Sequence, residues 1–222
     1  MIVSLDTTLI PKVRRLTKFG KELVLKNQKN IKKVPVCWDF ETHVLFLAFL
    51  GYWSVKGYYD QQSVVISVGQ DLSGLMPVFD YVCDLFKCNY RIKKYKVVYF
   101  DSALLKYTMM ALGFPPNVHK DARVHPGWID DLPAHLLKMF LKGFITACSK
   151  VRQAGIYLYP LTPEIVFLAT KLKNRFWVGC KWVDDKSLHI GPSSLAFFRE
   201  NIGFLSDYKT TQLEKLLFVE TL

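Results

Sequence analysis

A chain of 222 residues that is half apolar and 14% aromatic can bury a core in one or two domains, which excludes a disordered chain. Thirty lysines and arginines against nineteen acids leave a formal charge of +11, which favours a polyanionic partner, nucleic acid or an anionic membrane surface, over acidic protein clients of no fixed kind. The longest apolar stretch, Val44 to Val55, is too short to span a bilayer, so no membrane partner is expected.

Residues 1–36 carry nine basic side chains against Asp6 and Glu22. That density predicts a basic arm lying along phosphates, with Lys12, Arg14, Arg15, Lys18, Lys21, Lys32 and Lys33 as contacts. No secretory signal opens it, and its basic character leaves an organellar presequence open as the alternative. From Trp38, "WDFETHVLFLAFLGYWSVKG" has apolar residues at helical spacing and ends at Gly57. "SVVISVG" is β-branched and predicts a strand, and "DLSGLMPVFDYVCDLF" a helix with Pro77 early or at a kink. "NYRIKKYKVVYF" predicts a hairpin breaking near Lys93 and Lys94, and "SALLKYTMMALG" a helix closed by Gly113.

The order helix, strand, helix, hairpin, helix then recurs. "DLPAHLLKMFLKGFITACSK" is a helix, "GIYLYPL" a strand, and "TPEIVFLATKLKNRF" a helix capped at Thr162. "VGCKWVDDKSLHIG" turns at Asp184 and Asp185, and "SSLAFFRENIG" is a helix. The fold class is therefore α+β with two tandem copies of one unit, residues 37–114 and 131–222, joined by a Pro-rich linker, 115–130. An apolar helix that one copy cannot cover alone has to be buried against the other copy.

The five cysteines, Cys37, Cys83, Cys88, Cys148 and Cys180, form no zinc-spaced set and read as small buried thiols in a reducing compartment. The five histidines are scattered, and His119 and His125 are expected to be solvated or hydrogen-bonded. No Walker loop, nucleophile elbow or Rossmann fingerprint occurs, so no metal or cofactor is expected.

"FLGYWSVKG" (Phe49–Gly57) and "FLKGFITACSK" (Phe140–Lys150) resemble the two signature helices of single-chain LAGLIDADG homing endonucleases and their intron-maturase relatives, whose usual form is close to F-L-R-G-L-F-D-A-D-G-S. "PGWIDDLP" and the closing "FFRENIGFLSDYKTTQLEKLL" are also similar to that family, over roughly Phe40 to Leu217. The resemblance implies two pseudo-symmetric repeats. Each would contribute antiparallel strands to half of a saddle-shaped nucleic-acid-binding sheet, with helices on the other face.

Small residues, Gly51, Gly143 and Ala147, would let the signature helices cross closely. In active members an acid at each helix foot holds divalent metal. Carried over, those positions fall on Lys56 and Cys148, with Ser149 at the usual glycine and Thr146 at the other frequent acidic position, so the resemblance implies a protein without nuclease chemistry.

Candidate nucleic-acid contacts in the first repeat are Lys56, Tyr58, Tyr59, Gln61, Tyr90, Arg91, Lys93, Lys94 and Lys96. In the second they are Lys150, Arg152, Tyr157, Tyr159, Lys181, Trp182 and Lys186. Cations meet phosphates and exposed aromatics stack on unpaired bases, a pairing more useful on folded RNA than on regular duplex. The expected partner is RNA, rRNA or intron RNA, together with neighbouring proteins of a ribonucleoprotein such as an organellar, for instance mitochondrial, ribosome. A group I intron maturase and a DNA-binding regulator on duplex DNA are the alternatives.

Overall fold

The computed structural model describes residues 2–4, 13–16, 22–27, 30–35, 37–61, 63–114, 125–160, 162–184 and 186–219. The basic N-terminal stretch contains strands. β1 (Ile2–Ser4) pairs antiparallel with β5 (Cys37–Asp39), and β2 (Val13–Leu16), β3 (Glu22–Asn27) and β4 (Asn30–Pro35) form a three-stranded antiparallel meander. The helix read from Trp38 begins only at Val44, because Cys37–Asp39 pairs as β5 and the chain turns over Phe40–Thr42 first.

Each repeat then runs through the same elements. In the first they are α1 (Val44–Lys56), β6 (Gly57–Asp60), β7 (Ser63–Ser67), α2 (Leu72–Phe86), β8 (Tyr90–Lys93), β9 (Val97–Phe100) and α3 (Ala103–Ala111). In the second they are α4 (Ala134–Cys148), β10 (Ser149–Arg152), β11 (Gly155–Leu158), α5 (Thr162–Phe176), β12 (Lys181–Asp184), β13 (Ser187–Ile190) and α6 (Leu195–Asn201), followed by α7 (Asp207–Val219). The two four-stranded antiparallel sheets have matching orders, β6-β7-β9-β8 and β10-β11-β13-β12. Both repeats close alike: Leu112-Gly113-Phe114 and Ile202-Gly203-Phe204 put glycine in the left-handed region, φ +92° and +68°, and bury the phenylalanine that follows.

The core is built around α1 and α4. From Phe46 to Ser54 every residue of α1 is buried, so this helix has no polar face. Phe49, Phe79 and Phe100 meet edge to face at centroid distances of 5.3–6.4 Å and join α1 to α2 and β9. A side-chain methyl at Gly51 would lie 2.0 Å from the Phe140 carbonyl oxygen, and one at Gly143 would lie 2.0 Å from that of Ala48. Each glycine thus rests on the carbonyl three residues before the other, which is a local twofold relation between the helices.

His125, at the end of the linker, is buried in the second repeat. It pairs with the buried Glu164 of α5, and its ring packs 4.1 Å from Phe167 and 5.9 Å from Phe140. The Gly203–Asp207 segment passes between the repeats. A methyl at Gly74 of α2 would lie 1.9 Å from the Leu205 carbonyl oxygen, while the Leu205 N–H donates to Thr146 Oγ1 of α4 at 2.9 Å.

Candidate nucleic-acid interface

The paired glycines fix the register of the helix ends. Lys56 follows Gly51 by five residues and Cys148 follows Gly143 by five, so the two side chains occupy equivalent feet. Lys56 is exposed and Cys148 is buried. Burial pushes the Cys148 thiol up to about 12. Thr146, near the same foot, spends its hydroxyl on the Leu205 N–H and on the Lys142 carbonyl. Among the described residues, then, neither helix foot supplies an anionic oxygen from its own side chains at these positions.

The last turn of α4 leaves carbonyls that no helical N–H reaches. The Cys148 carbonyl takes the Tyr159 N–H at 2.8 Å, and the Thr146 carbonyl takes the ammonium of Lys209 from α7. Lys209 also reaches Asp71 Oδ2 at 3.4 Å, and the Tyr52 hydroxyl donates to that oxygen at 3.0 Å. Burial draws the Lys209 ammonium below the usual lysine range while Asp71 opposes the shift. Beside this network lies a cleft of about 440 Å³ lined by Lys56, Gln70, Asp71, Lys150, Arg152, Tyr208 and Lys209 among others.

A raised thiol pKa has a testable sign. The native state holds the Cys148 proton up to about 12 whereas the unfolded chain loses it near 9, so this contribution to stability is complete below 9 and is lost as pH rises through about 12. Native Cys148 is expected to resist maleimide at pH 8 and to react after denaturation; mass spectrometry of the labelled peptides reads the difference.

Strand register sorts the candidate contacts by face. In the first sheet Tyr58, Val65, Tyr99 and Arg91 lie opposite one another in one row on the face away from the helices. Tyr58 is 49% exposed, and Val65 beside it is buried. Arg91 and Lys93 sit over the Tyr99 ring at 4.9 and 4.2 Å. Arg91 also makes a two-point contact with Asp101, at 2.7 and 3.2 Å, and this guanidinium with the Ser63 hydroxyl holds Asp101 below the usual carboxylate range. Gln61, Lys94 and Lys96 are exposed on turns, Lys96 at φ +54°.

Two first-repeat candidates face the other way. Tyr59 pairs with Val64 on the helix side, packs 4.6 Å from Trp53 and donates to the Phe114 carbonyl. Tyr90 pairs with Phe100, packs on Phe79 and donates to Asp80. Strand alternation puts both on the helix side of the sheet, away from the open row.

In the second sheet the open row is Lys150, Tyr157, His189 and Lys181. Tyr157 stacks on His189 at 4.6 Å with Arg152 over its ring at 5.3 Å. Lys150 lies 5.5 Å over Tyr159, which is 39% exposed, and Lys186 is exposed at the β12–β13 turn. Trp182 lies off this row. It pairs with Leu188, a core residue, and so belongs to the helix side at the sheet edge, although it is 54% exposed.

For Arg14 and Arg15 on β2, and Lys32 and Lys33 on β4, the description is of backbone pairing; Lys12, Lys18 and Lys21 lie outside the described residues. Tyr99 and His189 join the open rows although residue type alone does not single them out. The alternation in "VVYF" and "SLHI", with Val98, Phe100, Leu188 and Ile190 buried, carries the signal for both.

No family model and no curated protein matches this sequence. Solved structures do resemble its fold. Mesophilic variants of the homing endonuclease I-DmoI are similar at TM-score 0.56 and 14% identity, over 78% of this chain and 97% of that one. A single-substitution variant of I-DmoI with its target DNA and manganese is similar at TM-score 0.53 and 14% identity, over 72% and 93%. I-DmoI with DNA and Mn is similar at TM-score 0.51 and 15% identity, over 72% and 96%.

Proposed function

Taking as premise that this chain has the LAGLIDADG homing-endonuclease fold, we propose that it binds duplex nucleic acid, DNA in the first instance, along the open faces of its two sheets and does not cut it. The observation that carries this reading is the chemistry of the helix feet. Metal-assisted phosphodiester cleavage needs hard anionic oxygens at the phosphate. Lys56 offers a cation there, and Cys148 a buried, protonated thiol. These residues do not fit a divalent ion, and an ammonium at Lys56 suits direct contact with a phosphate.

The open-face geometry favours duplex over loops of RNA. Tyr59, Tyr90 and Trp182 belong to the helix side, and Tyr99 and Tyr157 are covered by cations, so the faces present charge for phosphates more than bare rings for bases. A second reading rests on Tyr58 and Tyr159, whose partial exposure beside Lys56 and Lys150 suits stacking on unpaired bases. In that reading the partner is structured RNA, in a ribonucleoprotein or an intron.

Anisotropy titrations with duplex DNA and structured RNA, between about 50 and 200 mM salt, test both. Affinity for duplex is expected to fall steeply with salt, and Lys150→Ala, Arg152→Ala and Lys181→Ala together to reduce the log–log slope by about 3. An unchanged slope would remove the second sheet from the interface, and tighter binding of RNA at equal salt would promote the second reading. In Mg²⁺ or Mn²⁺ no strand scission is expected; specific cuts abolished by chelator would overturn the proposal.

A further inference from the structure

The network under the α4 foot draws on four separate elements: Tyr52 on α1, Asp71 at the entry to α2, Thr146 on α4 and Lys209 on α7. The Asp71 and Lys209 side chains are only 10% and 11% exposed. A carboxylate that deep requires a counter-ion. One of its oxygens receives Lys209 and Tyr52, while Oδ1 is buried with no hydrogen-bond partner among the described residues. The same ammonium is also received by the Thr146 carbonyl, at the negative end of the α4 dipole. A buried carboxylate and a helix-end carbonyl facing one small space are the two halves of a cation site, and the neighbouring cleft opens onto it.

We infer that this is a cation-binding site whose resident ligand is the chain's own side chain: the tethered ammonium of Lys209 fills a place that accepts a free primary ammonium ion when the tether is cut. A simple latch between helices would lose its strength with Lys209 and gain nothing from an added ligand. A site, by contrast, keeps its oxygens in place and refills. Lys209→Ala removes three carbons and the ammonium, the same atoms that propylammonium carries.

Thermal unfolding of the full chain without nucleic acid reads the result, so it stands or falls independently of the binding proposal. Lys209→Ala is expected to lower Tm by about 10 °C, because it leaves Asp71 buried without its ion partner. Propylammonium chloride is expected to restore several degrees to Lys209→Ala and none to the unaltered protein. Propanol, or sodium chloride at equal ionic strength, should do much less. Equal rescue by either control, or none by propylammonium, overturns the inference. A cycle of Lys209→Met, Asp71→Asn and the double variant decides the case in which Lys209→Ala does not fold. The double variant should lose far less than the two singles together, and additive losses would mean that the two groups do not form one site.

Discussion

Gly51→Ala and Gly143→Ala are each expected to cost about 3 kcal/mol or more, a fall in Tm of about 10 °C, since overpacking against backbone cannot be relieved by a rotamer change. Each added methyl would stand 2.0 Å from a carbonyl oxygen of the facing helix. The only remedy is to part α1 from α4, and those helices fill the centre of the core. Gly127→Ala is the control, because among the described residues nothing beyond its chain neighbours lies within 4 Å of the position its methyl would take. Comparable losses at all three positions would show that the close crossing of the helices does not hold the repeats together.

His125→Ala is expected to cost about 3–5 kcal/mol by taking the imidazole from beside the buried Glu164 side chain and opening a cavity against Phe167. Both side chains are fully buried, and the imidazole also packs on Phe167. Replacing both, as His125→Leu with Glu164→Leu, should recover most of the loss, since an apolar pair of similar volume suits that site. Chemical denaturation of the two variants makes the comparison. A His125→Ala variant within about 0.5 kcal/mol of the unaltered protein would place the pair outside the stabilising core.

Much of this architecture is legible because the repeat is written twice. The Gly51 and Gly143 helices, both hairpins and the paired Leu-Gly-Phe and Ile-Gly-Phe endings follow from local pattern and turn chemistry. Three kinds of feature do not. Trp38 reads as helical because an apolar residue at the right spacing carries no sign of the strand pairing that claims it, and β1 lies far from β5 in sequence. Residue type alone does not show that alternation turns Tyr59, Tyr90 and Trp182 to the helix side of their sheets, and a bulge between Trp182 and Asp184 further disturbs the pattern. Asp71 and Lys209, 138 residues apart, meet only through the fold, as do His125 at the end of the linker and Glu164 in the second repeat.

The pairing of α1 with α4 also governs how the chain comes into being. Its glycine contacts join positions roughly ninety residues apart, so folding must close a long loop before the central helix gains its main partner. During synthesis the interval is on the order of ten seconds at ~5–20 residues per second. Throughout it α1, apolar on every side from Phe46 to Leu50 and again at Tyr52 and Trp53, has left the ribosome while α4 has not. The nascent first repeat is thus the stage at which chaperones have most to hold and aggregation has most to seize, and a change that slows translation between residues 57 and 148 lengthens that exposure without altering the finished fold.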